Sequence, residues 1–263
     1  MKILSKTLML ATAGAAMVAL QAQAQTAWAP GDLLLDFRLA SGGGSDVEIN
    51  LGAFSSLSSF PTLNGDVNLS QFLPDITGAY SGSLSGLDWS VVGASAAGDN
   101  LWMTKIRPSS SPNYNNPAVD ASTPWVNKSA SVNSSTVTKI NGIGSGANGG
   151  TSDGTGAATV SDGSAFSYHT LVGTGTFGGV FQGNVEAGTG TFTTGSVVRD
   201  DFYAMTAGAS GNANYLGYFE LNDIGGTEEL LFVPAPEPMT YGLLSGIGLL
   251  AFSLRQQIRR FRA

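Results

Sequence analysis

The chain has 263 residues, 42% of them apolar and only 12% charged, with 36 glycines and no cysteine. That length and apolar content support a buried core of one substantial domain or two small ones, while the scarcity of Glu, Lys and Arg is unlike the surface of a helical bundle. Disulfides, thiol nucleophiles and thiolate metal sites are excluded, and a single histidine, His169, leaves no imidazole cluster.

Charge is partitioned along the chain. All 19 acidic residues lie between Asp32 and Glu237, a stretch with six basic residues and a net charge of −13; Lys2, Lys6, Arg255, Arg259, Arg260 and Arg262 occupy the two ends. A body of that charge is repelled by phosphate backbones, so the expectation is no nucleic acid partner.

Residues 1–24 read as a secretory signal. Lys2 and Lys6 form the positive start, Leu8 to Leu20 is uncharged and apolar, and Ala22-Gln23-Ala24 gives the small-x-small pattern of a signal peptidase site, with the cut after Ala24. The apolar run is short for a membrane span and is followed by Gln21, Gln23 and Gln25.

Residues 25–232 form the exported, acidic, β-rich domain. Leu33, Leu35, Phe37 and Leu39 alternate with Leu34, Asp36 and Arg38, and Val47, Ile49 and Leu51 alternate with Asp46, Glu48 and Asn50; Ser41 to Ser45 between them reads as the loop of a hairpin. Ser55 to Leu73 is the one stretch with a helical look. Further strands are expected at Leu87–Val92, Asn100–Ile106, Ser131–Ile140, Ser167–Val172, Thr174–Val185, Gly190–Val198, Phe202–Ala207, Tyr215–Leu221 and Glu229–Val233. Loops expected to be mobile fall near 107–124, rich in proline, and 141–164, rich in Gly, Ser, Thr and Asn. The fold class expected is all-β, an antiparallel β-sandwich or jelly-roll-like body, with an N-terminal signal helix and one C-terminal transmembrane helix.

Catalytic patterns are sparse. His169 follows Ser167 and Tyr168, but the residues around Ser167 do not form a Gly-x-Ser-x-Gly elbow. Asp200-Asp201 and Glu228-Glu229 are adjacent in sequence, and neighbours in a strand face opposite ways, so neither pair serves as acid and nucleophile together. Gly149 to Gly154 lacks the spaced acids of a calcium loop. No catalytic residue, metal or cofactor is assigned. Trp102, Trp125 and Tyr114 are candidate flat faces for sugar rings, while Trp89 alternates with Leu87 and Val91 as a core residue.

The C-terminal segment 233–263 has three parts. Val233-Pro234-Ala235-Pro236-Glu237-Pro238 carries three alternating prolines and stays extended; residues 239–254 contain no charge; Arg255, Arg259, Arg260 and Arg262 follow. As a helix, residues 239–254 cover about 24 Å, a marginal span, with the arginines holding the C-terminus in the cytoplasm. Pro236-Glu237-Pro238, an apolar segment and a terminal arginine cluster, in that order, resemble the PEP-CTERM sorting signal of bacterial exported proteins. The resemblance implies recognition of Pro236, Glu237 and Pro238 by an exosortase, a membrane-embedded processing enzyme. It also implies a transient inner-membrane anchor, delivery to the cell surface or extracellular space, and association with exopolysaccharide or biofilm matrix. The function expected is a non-catalytic structural or interaction role there; the alternative is a carbohydrate-binding module or carbohydrate-active enzyme on a jelly-roll scaffold.

Overall fold

The structure, a computed structural model, describes residues 27–54, 66–95, 97–98, 100–149, 156–181 and 184–236. The expected signal 1–24, most of the helical-looking stretch 55–73, and the segment from 237 onward lie outside the described residues.

Strand β1 (Asp32–Leu39) turns through Gly42, Gly43 and Gly44, all at positive φ, into β2 (Ser45–Ala53), with Asp36 opposite Glu48 and Phe37 opposite Val47. The hairpin and its loop fall where the alternation of apolar residues puts them. After β3 (Asp66–Asn68), a 3-10 turn (Leu69–Phe72) leads into helix α1 (Leu73–Tyr80). Then follow β4 (Leu87–Ala94), β5 (Asn100–Ile106), α2 (Ala130–Gly149), β6 (Ala157–Ser161), α3 (Tyr168–Val172), β7 (Ala187–Gly188), β8 (Val197–Thr206), β9 (Asn214–Ile224) and β10 (Thr227–Pro234).

Among the described residues the ten strands form one antiparallel sheet, in the order β3-β10-β9-β8-β5-β4-β1-β2-β6, with β7 paired to β4. The chain is therefore all-β in class, but its sheet is single and curled into a half-barrel rather than divided into two facing layers. Both faces are covered. Leu33, Leu35, Phe37, Trp89, Phe202, Phe219 and Leu221 belong to one core, onto which α1 lays Ile76 and Tyr80. The Tyr80 hydroxyl donates to the Phe37 carbonyl at 2.6 Å and accepts from the Val47 N–H at 3.0 Å, tying the helix to the hairpin. Leu34, Val92, Met103 and Tyr203 belong to the second core, covered by α2, α3 and the chain that follows.

Five expectations are corrected by the structure. Ser131–Ile140 is not a strand, and 141–149 is not a loop: both belong to α2. The Ser, Thr and Val content reads as β-propensity, yet Asn133, Thr136, Ile140 and Ile143 recur at helical spacing and are buried against the sheet. Thr136, Thr138 and Ser145 donate their hydroxyl hydrogens to the carbonyls four residues earlier, so the helix absorbs polar groups that disfavour it in isolation. Within 167–198, Tyr168–Val172 is the short helix α3, and the described residues of Thr174–Val185 and the first part of Gly190–Val198 are turns and irregular chain, not strands. Strand β6 falls inside the stretch read as a loop.

The expected loop 107–124 is present, and one residue organises it. The buried Arg107 guanidinium donates to the carbonyls of Tyr114 (2.9 Å), Asn116 (2.7 Å), Val119 (3.2 Å) and Asn113 and to the Tyr215 hydroxyl (3.0 Å), and pairs with Asp201. Irregular backbone needs such partners because it lacks a ladder of its own.

Helix α2 approaches the segments before β1 and α3 closely through glycine. A Cβ on Gly144 stands 2.1 Å from the Trp28 ring, whereas one on Gly149 meets nothing within 4 Å. Gly144→Ala is expected to destabilise the body by about 1–3 kcal/mol through overpacking, despite alanine's better helix propensity, while Gly149→Ala is neutral or slightly stabilising. Thermal melts of the two variants check this; equal melting temperatures would contradict it.

Candidate functional site

Two places concentrate unusual chemistry: the end of β10, where the chain leaves the body, and a layer of carboxylates beneath α3.

At the first, Val233 pairs with Tyr218 and Pro234 with Gly217. Strand β9 carries a bulge here, because Phe202 of β8 faces Gly217 while Tyr203 faces Tyr215, leaving Leu216 extra. The Leu216 carbonyl accepts the Ala235 N–H at 2.8 Å. Gly217 has φ +131°, and a Cβ on it stands 2.2 Å from the Val233 oxygen, 2.7 Å from the Pro234 Cα and 2.8 Å from the Ala235 nitrogen. Only glycine lets the outgoing chain lie this close. Of the expected sorting residues, Pro236 is described and half-buried; Glu237, Pro238, Arg255, Arg259, Arg260 and Arg262 lie outside the described residues, as does the expected span 239–254. Among the described residues no helix is long and apolar enough to cross a membrane.

At the second, the polar side of the first hairpin is buried rather than wet. Asp36 faces Glu48 on β2 and Ser90 on β4, and Arg38 faces Asp88. Asp36, Asp46, Glu48 and Ser90 are fully buried. The Arg38 guanidinium grips both Glu186 oxygens at 2.6 Å and reaches Asp88 at 2.9 Å. Burial alone lowers the Arg38 pKa, but its bonds to Glu186 and the charges of Glu186 and Asp88 outweigh that and keep it protonated. Glu48 accepts the Tyr168 N–H at 3.0 Å and Asp46 the His169 N–H at 2.7 Å, while the Ser167 hydroxyl accepts the Thr170 N–H at 3.1 Å. The first N–H groups of α3 are thereby satisfied by side chains, which seats the helix across the sheet. The Tyr168 hydroxyl and Ser90 hydroxyl meet at 2.5 Å. Gly175 closes the layer, since a Cβ there stands 2.5 Å from a Glu186 oxygen.

Burial shifts these carboxyls toward the protonated form. Burial, then the charges of Asp46 and Glu186, raises Asp36 well above the ordinary range, and both its oxygens are without a hydrogen-bond partner. Burial raises Glu48 as well, with Asp36 and Asp46 adding and the Tyr168 N–H opposing. Asp46 is pushed up to about 8 by burial, against the His169 N–H and with help from Asp162. Asp200 forms a separate case on β8: burial, then Asp201, raises it, and the N–H groups of Ala187 and Arg107 pull it down without reaching hydrogen-bond geometry. Among the described residues no group of three or more acids or histidines has the convergence to hold a metal ion.

The remaining sequence candidates do not assemble into a catalytic site. Ser167 donates to the Asp162 carbonyl and caps α3, so it does not meet His169 as a nucleophile meets its base. Asp201 accepts from Arg107 and from the N–H groups of Ala121 and Ser122, while Asp200 points to the other face of β8. Trp89 is core, as expected. Trp102, a candidate sugar-binding face, stacks on Phe54 at a centroid distance of 4.8 Å. Trp125 is buried, donates to the Thr104 carbonyl and has Lys105 over its ring at 4.0 Å, so it offers no free face, and Trp102 is half-buried with one face against Phe54. Tyr114 lies half-buried under the Arg199 guanidinium at 4.6 Å, at the edge of the cleft between loop 107–124 and β8.

Sequence reasoning passed over the carboxylate layer because alternation reads as one wet face. A signal was present: the hairpin register sets Asp36 against Glu48, and like charges directly opposed destabilise an exposed hairpin. Comparison of the chain with family models, with curated proteins and with solved structures finds no match in any of the three.

The layer gives stability a definite pH slope. Unfolded carboxyls titrate near pH 4, whereas in the folded body Asp46 titrates at about 8 and Asp36 and Glu48 also lie well above their usual values. Between those limits the folded state binds more protons than the unfolded one, so stability falls as pH rises. The purified body should melt several degrees lower at about pH 9 than at about pH 5.5, each kcal/mol moving the melting temperature by about 2–4 °C. Asp36→Asn should flatten the slope; a wild-type melting temperature that rises across the window would refute this account.

Proposed function

We propose that the chain is an exported bacterial protein sorted through its C-terminal signal to the cell surface or extracellular matrix, where it serves a non-catalytic structural or interaction role linked to exopolysaccharide. One observation carries the reading: Pro236-Glu237-Pro238 stands directly before 16 uncharged residues, 239–254, which are followed by Arg255, Arg259, Arg260 and Arg262. Each part has a physical task. The prolines prevent helix or sheet from forming and leave the tripeptide extended for an enzyme's groove. The uncharged run enters the bilayer, and the arginines stay on the cytoplasmic side. Lys2, Lys6, the apolar run and Ala22-Gln23-Ala24 supply the matching export signal at the other end.

The folded body is consistent with survival outside the cell after such processing. It has a covered sheet and no cysteine to oxidise. The partners in this reading are a signal peptidase, an exosortase-type enzyme, the inner membrane during passage, and polysaccharide at the destination.

Mass spectrometry of the protein recovered from the surface or medium tests the proposal. The expected product begins at Gln25 and ends near Pro236–Pro238, lacking residues 239–263. Recovery of an intact chain from Met1 to Ala263, or unchanged delivery of a variant lacking residues 233–263, would overturn it.

A further inference from the structure

We infer that Lys105, Lys128 and Lys139 form one cationic patch around the Trp125, Phe181 and Phe177 rings, and that this patch binds a polysaccharide whose units carry carboxylates. The inference rests on the reading above that polysaccharide is the partner at the destination, and it names the charge class of that partner and the residues that meet it.

The six basic residues between Asp32 and Glu237 divide by type. Each arginine is paired: Arg38 with Glu186 and Asp88, Arg107 with Asp201, Arg199 with Glu220. None of the three lysines makes an ion pair among the described residues, yet all three converge. The Lys105 ammonium stands 4.0 Å from the centroid of the Trp125 ring and that of Lys128 5.4 Å from the centroid of Phe181, while Lys139 donates to the Phe177 carbonyl at 3.0 Å. Trp125 and Phe181 meet edge to face at 5.4 Å, and Phe181 and Phe177 at 6.3 Å, so one connected row of rings carries the three charges.

Gathering like charges costs free energy. Burial lowers the Lys105 pKa, Asp201 opposes that, and the Lys128 charge lowers it further. Asp201 does not quench the patch, because its oxygens are taken by Arg107 and by the N–H groups of Ala121 and Ser122. An anion seated beside these ammoniums replaces repulsion with attraction. The rings beneath Lys105 and Lys128 hold their ammoniums in place, which reduces the side-chain entropy lost on binding.

The buried rings select the class of partner. Single-stranded nucleic acid stacks its bases on open aromatic faces, whereas Trp125, Phe177 and Phe181 are buried. No arginine fork remains free for phosphate, since all three arginines of the body are paired. A protein partner needs an apolar centre to its interface, and here the centre is ammonium groups. A glycan carboxylate needs only charge and N–H donors, which lysine supplies. An acidic polysaccharide, with a charge on each sugar unit, is also sparser in charge than a nucleic acid duplex, with one about every 1.7 Å, and is repelled less by an acidic body.

The test measures binding of the full-length chain, in uncharged detergent, to immobilised polygalacturonate, its methyl ester, polyglutamate and polyuridylate. Arg255, Arg259, Arg260 and Arg262 are kept in every variant, so only the lysines of the body differ. Wild type should prefer polygalacturonate, and its affinity should fall roughly tenfold between about 50 and about 200 mM salt, as for about three neutralised charges. Changing Lys105, Lys128 and Lys139 together to Gln should weaken binding at least about fivefold, Lys128→Gln alone about twofold, and changing all three to Arg by less than that. Melting temperatures check the fold, and if the triple Gln variant unfolds, Lys128→Gln decides. Unchanged affinity of that variant, or equal binding of the methyl ester, overturns the patch; polyglutamate or polyuridylate binding as tightly as polygalacturonate overturns the glycan assignment. A chain processed at both ends that ignores polygalacturonate loses this inference alone, and an unprocessed chain that binds it through the lysines keeps the patch and loses the sorting reading.

Discussion

The bidentate pair between Arg38 and Glu186 is the interaction on which the second face of the sheet depends. Strand β1 is buried along nearly its whole length on both faces, so its charged residues have no route to water. A lone guanidinium there is unfavourable; gripping both oxygens of Glu186 and also Asp88 satisfies its donors in the fork geometry that carboxylates match. Glu186 is in turn wrapped by the glycine turn at 175, and Val185 donates to the Gly175 carbonyl at 2.8 Å. The irregular chain between α3 and β7 is thus fastened to the middle of the sheet, bringing Phe177 and Phe181 into the second core.

The same burial explains where much of the negative charge goes. Asp32, Asp36, Asp46, Glu48, Glu186, Asp200, Asp201 and Asp223 are interior, so the formal charge of the chain overstates the field at its surface. Some of these acids cap turns and helices or pair with arginine. Asp36, Asp46 and Glu48 instead have their pKa values raised by burial, and two of them, Asp46 and Glu48, also receive the first N–H groups of α3. Structural polar networks of this kind fix how one element sits on another at a cost in stability.

Glycine does two jobs in this chain. At Gly144 and Gly146 it lets α2 come within reach of Trp28 and Phe166, replacing side-chain contact with close backbone approach. At Gly217 it brings the outgoing chain against a bulge. Composition alone reads the abundance of glycine as loops, because a glycine needed for lack of space looks the same in sequence as one needed for a turn.

The local pattern determined the first hairpin and the strands containing Leu87–Val92, Asn100–Ile106 and Tyr215–Leu221, because period-two alternation is a property of neighbouring residues. Helix α2 was not legible that way: Ser, Thr, Val and Gly do not favour a helix, and the sheet beneath supplies the stability that the segment lacks. Nor was the carboxylate layer, since alternation says which residues share a face but not whether water reaches it. Tertiary structure decided that by laying α3 across Asp46 and Glu48, and it alone set Gly217 against Val233–Ala235, because contacts between distant parts of a chain follow from the closing of the sheet and not from local preference.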